Sequence, residues 1–282
     1  MKKLKGLARL LRFELPSSAG ICVIMGQLLA LGKFASVFVT VSGFLSVFLI
    51  SASILVLNDY FDIETDKINA PDRPIPSNLV SPSEALSFAI FLLLAGLLLS
   101  YIINVQALVI SIVLSITGFL YNGFFKRSGL PGNLMVSFSV GMTFIYGGAT
   151  VGLPFHKIVL FFALIAALID LGEEIAADSM DIKGDLLINS KSIAIKFGEQ
   201  KALKISCTIF LLVILLSFVP FILSWFSAFY LIPIGIMDLS ITLPAIKLLN
   251  SKNEEGRKFI RWIYLGSTFA LVLFLIMRLL GI

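Results

Sequence analysis

Long apolar runs fill most of this chain and leave it few kinds of fold. Nine runs approach or exceed the roughly 20 residues that a helix needs to cross about 30 Å of hydrocarbon. They cover Pro16–Leu31, Ala35–Leu57, Glu84–Ile103, Ala107–Phe125, Asn133–Leu153, His156–Gly172, Ala202–Pro220, Trp225–Leu248 and Phe259–Leu280. In lipid every backbone polar group has to be paired within the protein, and single runs of this length meet that requirement as α-helices. The runs therefore predict an all-α membrane protein with nine transmembrane helices.

The composition excludes a soluble protein. Hydrophobic residues make up 58% of the chain and charged residues 14%, whereas soluble domains carry about 25% charged residues. Cys22 and Cys207 lie inside apolar runs, and His156 is the only histidine. We therefore expect neither a disulfide framework nor a histidine-based metal site.

The basic residues predict the orientation. With the N-terminus inside, 19 of the 22 lysines and arginines fall on the cytoplasmic side, and only Lys33, Lys157 and Arg278 fall outside. This distribution explains the net charge of +5 without a nucleic-acid partner. It predicts a multi-pass protein of the cell membrane whose N-terminus and two longest loops, at residues 58–83 and 173–201, are cytoplasmic.

The nine runs also suggest an internal repeat. Spans one to four and five to eight form two similar four-helix units, at about residues 13–128 and 129–250, and the ninth helix follows at about 259–280. Because the long loops lie on one face, we expect the helices to surround a central cavity that opens to the cytoplasm.

Two acidic motifs follow the second and sixth runs with the same spacing. The first contains Asp59, Asp62 and Asp66, and the second contains Asp178, Asp181 and Asp185. If each run continues as a helix, offsets of 0, 3 and 7 place the three carboxylates on one face. A solvated acidic cap would explain either motif alone. Two such caps have little reason to share a spacing, which favours two halves of one metal site.

The ligand types indicate a hard cation. Carboxylate and amide oxygens, without histidine or thiolate, suit Mg²⁺ first and Mn²⁺ second. Mg²⁺ completes its octahedron with water and substrate phosphate, so two clusters predict a clamp for a diphosphate. Five basic residues near the motifs are candidate phosphate ligands as a group, although each taken alone is better explained as an inner-leaflet charge. They are Lys67, Arg73, Lys126, Arg127 and Lys183.

A diphosphate held at a membrane face with an apolar interior behind it indicates a prenyl diphosphate. Metal and basic residues would stabilise the departing pyrophosphate while the allylic C–O bond ionises. Aromatic faces such as that of Tyr121 can stabilise the resulting carbocation.

These motifs resemble the UbiA superfamily of intramembrane prenyltransferases. The resemblance is carried by Asn58-Asp59-x-x-Asp62-x-x-x-Asp66, by Asp72-Arg73-Pro74-Ile75, by the segment from Tyr121 to Lys126-Arg127, and by Asp181-x-x-x-Asp185. It implies a single domain over residues 1–282. It also implies that Mg²⁺ and diphosphate are held by Asn58, Asp62, Asp66, Asp181 and Asp185, with Asp59 and Asp178 beside them. Arg73, Lys126 and Lys183 would bind phosphate oxygens.

Within the superfamily, Glu174-Ile-x-x-Asp178-x-x-Asp181-x-x-Gly184-Asp185 looks most like archaeal digeranylgeranylglyceryl phosphate synthases. That resemblance implies transfer of a geranylgeranyl group from its diphosphate to geranylgeranylglyceryl phosphate in ether-lipid biosynthesis. The chain departs from the wider family at residues 15–18, where many members carry Arg-Pro-x-Asn, and at Glu173, where many carry arginine.

Alternatives remain open at the level of sequence. Other superfamily members prenylate aromatic acids or quinone precursors. A transporter would explain the intramembrane Asp238 and, more weakly, Asp170, but it would concentrate polar groups at mid-membrane. A CDP-alcohol phosphotransferase is a further alternative, but the chain lacks the Asp-Gly…Ala-Arg signature of that class. The proton acceptor is undetermined, with Glu174 and the pyrophosphate itself as candidates.

Overall fold

The computed structural model describes residues 2–187, 189–251 and 253–281, although the side chains of Lys2, Asn69, Lys183, Leu187, Asn253 and Glu254 lie outside the description. Within these ranges every regular element is a helix. The α-helices are α1 Lys2–Leu10, α2 Glu14–Leu31, α3 Val37–Phe61, α4 Ile63–Asn69, α5 Pro82–Ile103, α6 Val105–Leu120, α7 Leu130–Thr150, α8 Lys157–Met180, α9 Ile182–Leu187, α10 Ile193–Phe197, α11 Glu199–Ser217, α12 Val219–Ile222, α13 Leu231–Leu248 and α14 Asn253–Leu279. A π-helical turn, Tyr121–Phe125, follows α6, and a 3₁₀ turn, Ala228–Tyr230, precedes α13.

Seven helical segments in the described part of the chain are long and apolar enough to cross a membrane. They are Glu14–Leu31, Val37–Phe61, Pro82–Ile103, Val105–Phe125, Glu199–Ile222, Ala228–Leu248 and Glu255–Leu279. Helices α7 and α8 coincide with the fifth and sixth predicted spans but are not among the seven. Asp170, Glu173 and Glu174 make the second half of α8 unusually polar. The all-α, multi-pass architecture is confirmed, while the count of nine spans and the cytoplasmic cavity stay predictions.

The chain divides into two compact units. Unit 1 comprises Met1–Gly123 and Met142–Leu160, and unit 2 comprises Phe124–Gly141 and Phe161–Ile282. The division falls inside α7 and α8, so each of these helices contributes to both units. The boundaries of the predicted sequence repeat stay a prediction.

In unit 1, small polar residues hold α3 against α5. The Ser46 hydroxyl donates to the Gly96 carbonyl at 2.8 Å, and the Ser53 hydroxyl donates to the Ala89 carbonyl at 2.7 Å. Small residues let membrane helices approach closely, because little side-chain volume separates the two backbones. The contacts fix the depth of α3 and so position Asn58 at its C-terminal end.

Helix α2 approaches the part of α7 that belongs to unit 1 just as closely. A Cβ atom added at Gly26 would overlap the Phe144 carbonyl oxygen, and one added at Gly147 would overlap the Val23 carbonyl oxygen. Only glycine fits at these two positions without moving a backbone.

In unit 2, α8 packs on its neighbours with one face. Ile175, Ala176 and Met180 are buried on that face, and the Ser206 hydroxyl of α11 donates to the Gly172 carbonyl at 2.7 Å. The opposite face carries Asp170, Glu174 and Asp178, so packing on α11 leaves these three side chains on the side turned away from the buried residues.

Candidate active site

The first acidic motif spans a joint between two helices. Helix α3 ends at Phe61, and Asp62 (φ −92°, ψ 7°) separates it from α4. The Asp62 N–H donates to the Asn58 carbonyl at 3.0 Å, and the Asp66 N–H donates to the Asp62 carbonyl at 2.8 Å. The continuous helix expected from the spacing is therefore interrupted at Asp62, although helical backbone hydrogen bonds are present on both sides of the interruption.

Asp59 and Asp66 converge on one arginine. Arg73 Nη1 lies 2.6 Å from Asp66 Oδ2 and 3.4 Å from Asp59 Oδ1, and Arg12 forms a second ion pair with Asp59. The Asp59 and Asp66 side chains are only 3% and 7% exposed. Two buried carboxylates seven residues apart thus share one cation, as the predicted common face requires.

The other predicted residues of unit 1 lie in different surroundings. Asn58 donates to Asn122 Oδ1 at 2.8 Å, and Asn122 donates to the Ile54 carbonyl at 3.2 Å. Tyr121 is half-buried and opens the π-helical turn, beside the buried Asn122. Lys67 pairs with the exposed Glu64 at 2.7 Å, one turn earlier on α4, so it is directed to solvent rather than to the buried carboxylates.

The second acidic motif is built in the same way. Helix α8 ends at Met180, Asp181 forms the joint, and α9 follows. The Asp181 N–H donates to the Asp178 carbonyl at 3.3 Å, and the Asp185 N–H donates to the Asp181 carbonyl at 2.9 Å. Asp181 is about half exposed and pairs with Arg257 at 3.1 Å. In both motifs the middle aspartate therefore occupies the helix joint.

Asp178 and Asp185 are the more enclosed carboxylates of this motif. Asp178 Oδ2 accepts a hydrogen bond from Asn133 of α7 at 2.9 Å. Burial raises the pKa of Asp185, against the opposing influence of the Ser192 and Ser190 side chains. Asp185 Oδ2 is buried and has no hydrogen-bond partner among the described residues. An acceptor oxygen in that state is suited to a cation.

The predicted basic residues of unit 2 are spread over two segments. Lys126 is half-buried and close enough to Glu174 for their charges to interact. Arg127 is exposed, and its carbonyl accepts from the Lys191 N–H at 3.0 Å. Lys183 lies on α9, but its side chain is outside the described residues.

Sequence reasoning missed three polar residues of this region. Arg12 pairs with Asp59, Asn122 holds Asn58, and Asn133 holds Asp178. Asn122 and Asn133 could have been found from the sequence, because each is a polar residue that borders or interrupts an apolar run. In the structure their side chains are buried, at 7% and 6% exposed. Arg12 gave no local signal, because its partner lies 47 residues away.

Within the described ranges, no group of three or more carboxylate, thiol or imidazole side chains is already gathered as a metal site. Mg²⁺ needs only one or two protein carboxylates, because water and phosphate fill its remaining positions. The carboxylate pair on Arg73 and the unpartnered oxygen of Asp185 meet that smaller requirement.

Comparison with known proteins identifies the family. The model of the UbiA prenyltransferase family matches residues 19–266. The chain belongs to the UbiA prenyltransferase family. Digeranylgeranylglyceryl phosphate synthase of Methanothrix thermoacetophila is 33% identical over 92% of this chain and 93% of its own. The enzyme of the same name from Methanococcus aeolicus is 35% identical over 90% of each chain.

Solved structures of UbiA proteins share the fold. One, from a study of digeranylgeranylglyceryl phosphate synthase in membranes, superposes with a TM-score of 0.78 at 31% identity, over 97% of this chain and 98% of that one. A UbiA homologue from Archaeoglobus fulgidus, bound to GPP and Mg²⁺, superposes with a TM-score of 0.68 at 17% identity, over 93% and 99% of the two chains. The resemblance inferred from the motifs is thus confirmed, and with it a prenyltransferase.

Proposed function

We propose that this UbiA prenyltransferase transfers a geranylgeranyl group from geranylgeranyl diphosphate to the free hydroxyl of geranylgeranylglyceryl phosphate and releases diphosphate. The product is an archaeal ether-lipid precursor. The observation that carries the proposal is the 33–35% identity to enzymes named for this product over about nine-tenths of the chain. The acidic motifs supply the chemistry that such a donor requires.

We propose that both motifs bind Mg²⁺, with Mn²⁺ as a possible substitute. The ligand oxygens would come from Asn58, Asp59, Asp62, Asp66, Asp178, Asp181 and Asp185. In unit 1 the fit rests on Asp59 and Asp66, whose buried carboxylates already share a cationic partner. In unit 2 it rests on the unpartnered Asp185 oxygen. When bound, the metal neutralises charge on the diphosphate as the C–O bond breaks.

The protein's own cations complete the proposed donor site. Asp59 and Asp66 would hold the metal, and Arg73 would bind phosphate oxygens, because its planar guanidinium suits bidentate phosphate binding. Lys126 is half-buried in the second unit and can act as a point charge. Arg127, Lys183 and Lys67 remain candidates, of which Lys67 is the weakest because it pairs with Glu64 in solvent.

The proposed topology follows the charge distribution. We propose nine membrane spans, with α7 and α8 as the fifth and sixth, and a cytoplasmic N-terminus. This arrangement places both acidic motifs on the cytoplasmic side, where a soluble metal and a water-soluble diphosphate product are available.

Product analysis tests the proposal. Purified protein receives labelled geranylgeranyl diphosphate and Mg²⁺ together with either geranylgeranylglyceryl phosphate or an aromatic acid. We expect a digeranylgeranyl ether with the first acceptor and no product with the second. Prenylation of the aromatic acid alone would refute the proposed acceptor.

Aspartate variants test the metal site in the same assay. Asp62→Ala and Asp185→Ala should abolish transfer while leaving the protein inserted and monodisperse in detergent. Glu64→Ala, which removes an exposed carboxylate within the first motif, is the control and should transfer normally. Full activity in either aspartate variant would refute the metal–diphosphate clamp.

A further inference from the structure

A stripe of carboxylates continues from the second acidic motif along α8 towards the middle of the predicted sixth span. Asp178, Glu174 and Asp170 are spaced by four residues and share one face of the helix. At 1.5 Å of rise per residue, each step is about 6 Å. Glu174 therefore lies one turn from Asp178, on the side of the motif that leads into the apolar part of the protein.

The two ends of the stripe are held by α7. Asn133 donates to Asp178 at 2.9 Å, and Ser137 donates to Asp170 at 2.9 Å. Within the described residues neither of these α7 donors reaches Glu174. Asp170 and Asp178 repel its ionised form, and Lys126, on the segment that precedes α7, attracts it.

This arrangement leaves Glu174 able to take up a proton. A carboxylate already engaged by a hydrogen-bond donor is a poorer proton acceptor, because that bond stabilises its ionised form. Glu173 is adjacent in sequence but lies on a different side of the helix, with Oε1 buried and unpartnered among the described residues. Glu174 thus combines an available carboxylate with a position one turn from a proposed diphosphate ligand.

We propose that Glu174 accepts the proton of the acceptor hydroxyl, an inference that rests on the proposed function. The donor carbon is bonded to a diphosphate oxygen, so the reaction takes place within a few ångströms of the diphosphate ligands. The C–O bond to diphosphate breaks and its electron pair leaves with diphosphate. The acceptor oxygen forms a new C–O bond to the same carbon, and its proton passes to the Glu174 carboxylate and from there to water.

The test separates ionisation of the donor from capture by the acceptor. Donor labelled with ¹⁸O at the bridging position loses that label from the bridge whenever the C–O bond breaks and re-forms with a rotated diphosphate. In Glu174→Gln we expect transfer to fall at least 100-fold, as for loss of a general base. Positional isotope exchange should continue at the wild-type rate or faster, because the acceptor hydroxyl is then a poorer nucleophile and the allylic cation more often recombines with diphosphate. Glu174→Asp should recover part of the transfer.

Glu173→Gln is the matched control, since it removes the neighbouring carboxylate from another side of α8, and it should transfer within threefold of wild type. A transfer rate within tenfold of wild type in Glu174→Gln would overturn the inference. Isotope exchange that falls in parallel with transfer would also overturn it, because Glu174 would then act on the donor or the fold. Absence of transfer by the wild-type protein would instead refute the proposed function.

Discussion

Replacement of Arg73 by glutamine should strengthen Mg²⁺ binding while it weakens catalysis. The Arg73 guanidinium contacts Asp66 at 2.6 Å and Asp59 at 3.4 Å, and it is 35% exposed whereas both carboxylates are nearly buried. A hydrogen bond to a charged group contributes about 1.5–3 kcal/mol, and solvent screening of the exposed guanidinium reduces this to about 1–2 kcal/mol. Mg²⁺ has to displace this interaction in the wild-type protein but not in Arg73→Gln.

The loss of this interaction should therefore lower the stability of the metal-free protein and raise its affinity for Mg²⁺. Without metal, Arg73→Gln should unfold a few degrees below wild type, because about 1 kcal/mol corresponds to roughly 2–4 °C for a chain of this size. In a calorimetric titration of the metal alone, about 1–2 kcal/mol of removed competition should tighten Mg²⁺ binding about 5–30-fold. Transfer should fall because the variant loses a phosphate ligand.

A thiol-reactive dye can follow the unfolding, since Cys22 lies in unit 1 with Arg73. Lys67→Gln supplies the control, because it also removes one positive charge but from an exposed pair on α4. It should change neither the melting temperature nor the affinity for Mg²⁺. Unchanged or weaker Mg²⁺ binding by Arg73→Gln would show that Arg73 does not compete with the metal.

The remaining predictions concern both units. Because burial raises the pKa of Asp185, the folded state binds this proton more tightly than the unfolded state, and its stability falls as pH rises through the interval between the two pKa values. Asp185→Asn should therefore have a higher melting temperature than wild type in EDTA at pH 8, and the difference should shrink as the pH is lowered. A difference in melting temperature that does not change with pH would show that burial of the Asp185 carboxylate is not its cause. Ser100 links Ser46 at 2.6 Å and Tyr146 at 2.9 Å, so Ser100→Ala should cost about 1 kcal/mol, and a double-mutant cycle with Tyr146→Phe should show coupling. Gly147→Val should prevent close packing of α2 on α7 and yield aggregated protein on size-exclusion chromatography, whereas normal elution would contradict the steric argument.

Much of the helical architecture could be predicted, because the length of an apolar run is a property of the local sequence. The third predicted span, Glu84–Ile103, differs from α5 only by the two residues before it, where Ser81 and Glu84 form a capping box and Pro82 opens the helix. The fourth span was expected to continue to Phe125 as one helix, but its last turn is π-helical. A change from α- to π-helical hydrogen bonding leaves no mark on hydropathy.

The candidate site was predicted less completely, for reasons of distance. The shared spacing predicted that Asp59 and Asp66 lie on one face, and both carboxylates contact Arg73, because offsets along a helix are local. The joints at Asp62 and Asp181 contain neither proline nor glycine, so the local sequence does not predict that the helix ends there. Arg12 comes to Asp59 only through tertiary packing, which a single sequence does not reveal.

The Arg12–Asp59 pair has a consequence for biosynthesis of the protein. Asp59 is almost fully buried, and a buried charge without a partner is strongly destabilising. The ribosome delivers Arg12 before Asp59 and Arg73 after it, so in the growing chain Arg12 is the first of the two arginines that can neutralise Asp59. Chains shortened beyond Arg12 would insert α3 with an uncompensated charge during that interval.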